Sequence, residues 1–310
     1  MHWTGVMPAM TTAFHPDLSI DHEFMQRHAD WMLRNGCSGV VMLGSLGEGA
    51  TLEREEKIAI LRNITGSVHG RAPVVAAVSS LSTAAAVRLA KDAEQSGCDG
   101  LMVLPPYVYL SDWREMRAHV SAILAATPLS CMLYNNPIAY GTDFLPEQIA
   151  ELAESHENLH AVKESSADLR RIAAIRSLLG NRLGILVGVD DAVVEGVGAG
   201  AVGWIAGLVN AFPAESVALF HLASSGNSEE AFELYRWFLP LLRMDTVPKF
   251  VQLIKWVQEE LNVGAARVRP PRLQLEGDEL LDARTKLQQA LAARPRIAAV
   301  NFASSVGAGA

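Results

Sequence analysis

Cysteine is scarce in this chain, with three thiols among 310 residues, at Cys37, Cys98 and Cys131. An odd number of widely spaced thiols in apolar, strand-like surroundings argues against a disulfide framework. It offers no cysteine-based metal spacing and fits a reducing compartment. Charge is thin as well, at 19% of residues, and it leans acidic, with 26 basic against 34 acidic side chains and a net charge of −8. That balance gives no support for binding nucleic acid or an anionic membrane. No apolar run is long enough to span a bilayer, and Met1-His2-Trp3-Thr4 carries neither a basic leader nor an apolar signal core, so a soluble cytoplasmic protein is expected. Half of the residues are hydrophobic, enough for a large core and too many for disorder. The length suits one barrel-sized domain with an addition.

Short apolar runs alternate with longer amphipathic ones. Val6 to Thr12 reads as a first strand, and Asp21 caps a helix through about Arg34. Gly39 to Leu43, Pro73 to Val78, Gly100 to Leu104 and Ser130 to Tyr134 read as the next four strands. Helices are expected after them, from about Glu53, Thr83, Asp112 and Pro146. His160-Ala161-Val162 leads into the sixth strand, Leu183 to Val189 is the seventh and Ala201 to Ile205 the eighth. Continuous Val, Ile, Leu and Met runs fit strands buried on both faces. Eight strands each followed by a helix predict a closed parallel (β/α)8 TIM barrel over residues 1–226.

From Ser228 onward the pattern is helical only, predicting a C-terminal three-helix appendage over residues 227–296, with helices at Glu229 to Leu242, Pro248 to Leu261 and Asp278 to Ala292. Residues 297–310 carry Gly, Ala and Ser without periodicity and are expected to fray. The aromatic run Tyr235-Arg236-Trp237-Phe238 is expected to bury the appendage against the barrel.

On such a barrel, chemistry belongs at the C-terminal ends of the strands. Those ends carry the loop Gly44-Ser45-Leu46-Gly47-Glu48 after strand two, Tyr107 after strand four, Tyr134 closing strand five, Lys163 closing strand six and Val189-Asp190-Asp191 after strand seven. An amine where a buried strand gives way to Glu164-Ser165-Ser166 is partly desolvated, which lowers its pKa toward the range of a carbonyl-attacking nucleophile. The bland reading is a strand-end lysine snorkelling to water. Convergence with two tyrosines and a glycine-flanked hydroxyl loop favours the nucleophile: backbone N–H groups can hold a carboxylate, and a nearby tyrosine can shuttle protons.

These motifs resemble the dihydrodipicolinate synthase / N-acetylneuraminate lyase family over nearly the whole chain. Gly44-Ser45-Leu46-Gly47-Glu48 is similar to its G-T/S-x-G-E carboxylate loop, Tyr134-Asn135-Asn136-Pro137 to its Y-N-x-P strand end, and Val162-Lys163-Glu164-Ser165 to its V/I-K-x-S strand. The resemblance implies Lys163 as the imine-forming nucleophile, Tyr134 as the proton-transfer acid/base and Ser45 as a proton relay beside the Leu46 N–H. It implies Tyr107 lent across a subunit interface in dimers usually paired into a homotetramer, and Ile205 as the residue whose carbonyl lies near the lysine. Gly44, Ser45, Leu46, Gly47, Val189 and Ile205 are thus the expected substrate-binding set, and neither metal nor organic cofactor is implied.

Two departures narrow the substrate. Where family members that make dihydrodipicolinate carry an arginine after Y-N-x-P, this chain has Ala139, and Leu46 replaces the second hydroxyl of the common loop. The runs from Tyr134 to Gly141, Gly188 to Asp191, Gly203 to Pro213 and Asp245 to Lys249 look most like pyrroline-4-hydroxy-2-carboxylate deaminases of hydroxyproline catabolism. The alternatives are a retro-aldolase acting on 2-keto-3-deoxy sugar acids or sialic acid and, more distantly, a non-catalytic binding barrel.

Blander roles are expected elsewhere. Asp190-Asp191 is read as capping the seventh helix rather than binding substrate. Glu48 is read as fixing its loop or a neighbouring N–H rather than as a general base, and Trp204 as barrel-mouth packing. The glycines from Gly198 to Gly203 are read as opening a strand rather than holding phosphate, and His156 and His160 lie at the wrong end of the barrel for the chemistry.

Overall fold

The computed structural model describes residues 1–107 and 109–297; all of the expected tail except Ile297 lies outside them. Eight strands, β1 (Gly5–Pro8), β2 (Val40–Met42), β3 (Val74–Val78), β4 (Gly100–Val103), β5 (Ser130–Asn135), β6 (Leu159–Glu164), β7 (Gly184–Val187) and β8 (Gly203–Ala206), alternate with helices. The helices are α1 (His22–Arg34), α2 (Arg54–Val68), α3 (Thr83–Gln95), α4 (Trp113–Leu124), the single turn α5 (Pro137–Tyr140), α6 (Pro146–Ser155), α7 (Arg170–Leu179), α8 (Val193–Gly198) and α9 (Pro213–Ser224). All strand pairs are parallel in the order β1-β8-β7-β6-β5-β4-β3-β2, and the bridge between Ala9 and Val41 brings the edges together into a nearly closed barrel. Every residue of β3 and β4 is buried, as strands enclosed by a helical layer must be.

Local chemistry sets the helix starts. Asp21 accepts a hydrogen bond from Phe24 N at 2.9 Å to open α1, and Asp112 with Glu115 forms a reciprocal cap on α4. The turn α5 is not expected from hydrophobic periodicity, because it is too short to show any. Its signature is nonetheless present: Asn136 accepts from Ala139 N at 3.0 Å, Pro137 takes the first helical position and Gly141 closes the turn at a φ of 68°.

Three further helices follow: α10 (Ser228–Leu242), α11 (Phe250–Glu260) and α12 (Gly277–Ala292). Their buried residues, among them Leu234, Phe238, Ile254 and Leu287, belong to the same continuous apolar core as the strands. The aromatic run divides its work: Phe238 is fully buried against Phe212, Tyr235 hydrogen-bonds the Asp191 carbonyl, and Trp237 turns to the appendage itself, donating to Ala290 O. No described helix is long and apolar enough to cross a membrane.

Candidate active site

The register of β5 and β6 builds the centre. Tyr134 pairs with Lys163 and Asn135 with Glu164, and because successive side chains alternate across a strand, the first pair faces the barrel interior and the second the helical layer. Behind the site, Asn135 Nδ2 donates to Glu164 at 3.1 Å and to Asp143 at 3.2 Å, and Asp143 is held in turn by Arg171. Glu164 also accepts from Ser166 N at 2.7 Å, fixing the chain's exit from β6.

Inside, Lys163 is 6% exposed and its Nζ lies 4.2 Å from the centroid of the Tyr134 ring. Among the described residues the amine has neither a hydrogen bond nor an ion pair at contact distance. Burial pulls its pKa down to about 8, opposed by the charges of Asp245 and Asp190. The lysine stem runs against Gly188, where an added Cβ would fall 2.6 Å from Lys163 Cε and closer still to Ser165 Oγ. Ser165 Oγ is buried with no hydrogen-bond partner among the described residues. Burial pushes the Tyr134 phenol up to about 12, so it keeps its proton at neutral pH while accepting from Asn136 Nδ2 at 2.9 Å.

The loop after β2 curls tightly: Leu43 and Glu48 have φ of 66° and 54°, Gly49 N donates to Gly44 O at 3.1 Å, and Thr12 Oγ1 donates to Gly47 O at 2.6 Å. A Cβ on Gly47 would lie 2.8 Å from Met10 O. Within this curl the N–H groups of Leu46 and Gly47 donate to no described residue, which leaves them free for a carboxylate. The Ser45 hydroxyl pairs with Tyr140, which the sequence reading passes over. The Tyr140 ring stands between Tyr134, at 5.9 Å edge-on, and Tyr107, at 5.7 Å. The one-turn helix α5 therefore carries a third tyrosine into the cluster, and the Asn-Pro cap with Gly141 was the available signal.

Asp190 does not cap the helix after β7. Residue 189 holds the N-cap position of the 3-10 turn Asp190–Ala192, and no side chain caps α8. Instead the Asp190 carboxylate, completely buried, accepts from Gly207 N at 3.1 Å, Leu208 N at 2.8 Å and Trp204 Nε1 at 3.0 Å. Three unsatisfied donors at the exit of β8 outcompete a helix end that solvent can satisfy. Trp204 packs as expected but also donates. Burial raises the Asp190 pKa to about 6 against these donors, so it remains a carboxylate at neutral pH. Val189 lies in the loop that holds Asp190, and Ile205 is buried on β8 opposite Met7.

Glu48 fixes more than its own loop. Its carboxylate pairs with Lys255 of α11 at 2.7 Å and accepts from Arg269 N at 2.9 Å, both far along the chain. Lys255 also donates to Thr12 O at 2.8 Å, so the carboxylate loop is bolted to the appendage. The histidines are held elsewhere, His156 by Ser121 at 2.8 Å and His160 by Ser130 at 2.7 Å. Two surface hollows also lie away from the lysine, one lined by Trp3, His160 and Arg182, the other by Trp113, Arg114 and Arg117.

Comparison with known proteins gives the family. Residues 2–290 match the model of the dihydrodipicolinate synthetase family. The chain is 31% identical over 272 residues to the 4-hydroxy-tetrahydrodipicolinate synthase of Nitrosococcus oceani, covering 86% of this chain and 91% of that one. It is 32% identical over 271 residues to the synthase of Moorella thermoacetica, covering 87% and 92%. The structure of the synthase from Methylacidiphilum fumariolicum superposes with a TM-score of 0.90 at 29% identity, covering 94% of this chain and 97% of that one. Likeness to the deaminases is a finer relationship than these matches reach. The chain belongs to the dihydrodipicolinate synthetase family and is an aldolase-like lyase of that family on a (β/α)8 barrel.

Proposed function

We propose that this enzyme forms an imine at Lys163 with a small 2-keto or 2-imino acid and deaminates and dehydrates 1-pyrroline-4-hydroxy-2-carboxylate to 2-oxoglutarate semialdehyde and ammonia. The observation that carries the reading is the enclosed Lys163 amine, with no ion pair at contact distance among the described residues and its Nζ held over the Tyr134 ring. Lys163 adds to the ring C=N, and expulsion of the ring nitrogen leaves an open-chain protein imine. That imine is an electron sink: a proton leaves the adjacent carbon through Tyr134, and the 4-hydroxyl departs as water. Tautomerisation moves an imine to the nitrogen-bearing end, where water releases ammonia, and a second water frees the product from Lys163. One water is consumed overall. Ser45 with the N–H groups of Leu46 and Gly47 holds the single carboxylate.

Ala139 supports a substrate with one carboxylate, because it puts no cation where synthases of the resembling family carry arginine. A second reading, formation or cleavage of a carbon–carbon bond with pyruvate as one partner, is favoured by the synthase names of the relatives above. Ammonia release from the pyrroline, with borohydride trapping of its adduct on Lys163, supports deamination. An adduct with pyruvate and no ammonia supports the lyase reading instead, and no adduct with either removes the imine on which both depend.

A homotetramer in the cytoplasm completes the proposal. Leu81, Tyr109 and Leu110 on loops and Ile138 on α5 are large apolar residues that are more than half exposed, at the end of the barrel where Lys163 lies, as a surface covered by a second copy would be. Light scattering of the purified protein tests it.

A further inference from the structure

The turn Arg243–Asp245, between α10 and α11, reaches back from the appendage to the exit of β8. There Asp245 takes the space a side chain on residue 207 would need. A Cβ on Gly207 would lie 2.6 Å from Asp245 Cγ and closer to its Oδ1. The residue is half-buried there. Asp190 sits on the other side of Gly207, taking that residue's N–H together with those of Leu208 and Trp204. The two acids differ in one respect. Asp190 is saturated by donors, whereas the Asp245 carboxyl hydrogen-bonds to no described residue. The charged and titratable groups around it are Asp190 and Asp191 on the turn after β7, Lys163 on β6 and Tyr134 on β5, with Arg243 on its own turn held 3.5 Å from Asp191. Burial and the neighbouring Asp190 raise its pKa well above the ordinary carboxyl range, which favours the protonated form.

Deepening the deaminase reading and resting on it, we propose that Asp245 is the catalytic acid that protonates the departing hydroxyl of the imine-bound substrate. The step balances. The enamine nitrogen pushes its electron pair, the carbon–nitrogen double bond re-forms, the C3–C4 double bond forms and the C4–O bond breaks. The oxygen leaves as water with the Asp245 proton. The resulting carboxylate then takes a proton from the water that attacks the terminal imine, which restores the acid. Tyr134 and Asp245 thus divide the proton traffic, one at the carbon beside the imine and the other at the leaving group. Asp190, held by its three donors, contributes the negative charge that favours the protonated form of the second acid.

The test is Asp245→Asn beside the unaltered enzyme, reading ammonia from the pyrroline together with the mass of the borohydride-trapped adduct. Asp245→Asn is expected to trap substrate on Lys163 nearly as fast as the unaltered enzyme, while ammonia release falls about 10²- to 10⁴-fold, the range for loss of a general acid. The trapped adduct should keep its hydroxyl and be one water heavier. Undiminished ammonia from Asp245→Asn overturns the proposal alone, as does loss of the adduct with both the pyrroline and pyruvate, which makes Asp245 a support for Lys163. No ammonia from the unaltered enzyme overturns the deaminase reading and this acid with it. If Asp245→Asn does not fold, Gly207→Ala displaces the same carboxyl. A hydroxyl-retaining adduct there supports the assignment, and full ammonia release removes it.

Discussion

Lys163 and Tyr134 occupy paired positions on adjacent parallel strands, and the lysine Nζ lies 4.2 Å from the centre of the tyrosine ring. This one pairing fixes the reach of the nucleophile, its desolvation and the position of its proton partner. Lys163→Ala should abolish the borohydride-trapped adduct and lower turnover by three or more orders of magnitude, about what removal of a covalent nucleophile costs. Tyr134→Phe should retain some adduct and lose about 10²- to 10⁴-fold in rate, as loss of a proton-transfer group does. Mass spectrometry of the trapped protein and steady-state kinetics check both.

Adduct formation should depend on pH in a stated direction. Only the free amine attacks, and burial sets the Lys163 amine at about 8. Trapping at limiting substrate should therefore rise as pH increases through about 8 and level off above it. A rise centred near 10.5, the ordinary lysine value, would mean that the amine is solvated.

Tyr140 should matter more than its absence from the motifs suggests. Its hydroxyl is the partner of Ser45, and its ring lies between those of Tyr134 and Tyr107. Tyr140→Phe should lower kcat/KM by about 10- to 100-fold, a loss that Ser45→Ala reproduces and that does not add to it in the double variant, since the two act as one unit. Additive losses would separate the two hydroxyls.

Gly188→Ala should spare the fold and damage the site. The added methyl meets Lys163 Cε and Ser165 Oγ, both side-chain atoms that can move. Circular dichroism should remain native while activity falls about 10²-fold, the scale expected when a reacting group shifts by about 1 Å.

Glu48→Gln should unfold at lower denaturant. Glu48 and Lys255 are both almost completely buried, and breaking such a pair leaves a cation uncompensated at a cost of about 3–5 kcal/mol. Glu48→Gln with Lys255→Met should recover part of that loss. Urea midpoints of the two variants decide it.

Much of the barrel is readable from the amino acids because its cues are local. The helix Thr83–Gln95 is bounded in the structure where its Ser82 cap and the glycine after it place it, and Asp21 caps α1 as expected. The first strand is shorter than expected: Val6 to Thr12 reduces to Gly5–Pro8, since Ala9 keeps only a bridge to Val41 and Thr11 and Thr12 turn to Asn210 and Gly47 at the barrel mouth. Lys163, Tyr134, Ser45 and Tyr107 are all accessible to the same reasoning, since each lies at or beyond the end of a strand and a closed barrel gathers strand ends.

What sequence could not supply was pairing across distance. Asp190 looked like a helix cap, yet the donors it serves belong to the exit of β8. Lys255 and Arg269 reach Glu48 from more than two hundred residues away, and Asp245 reaches Gly207 at the exit of β8 from a turn in the appendage. By itself the sequence determined the order of strands and helices, the caps that bound them and the residue types at the barrel mouth, all products of backbone propensity and periodic burial. Tertiary structure alone decided which carboxyl found donors and which did not. That choice depends on groups brought together only when the barrel closes and the appendage packs on it.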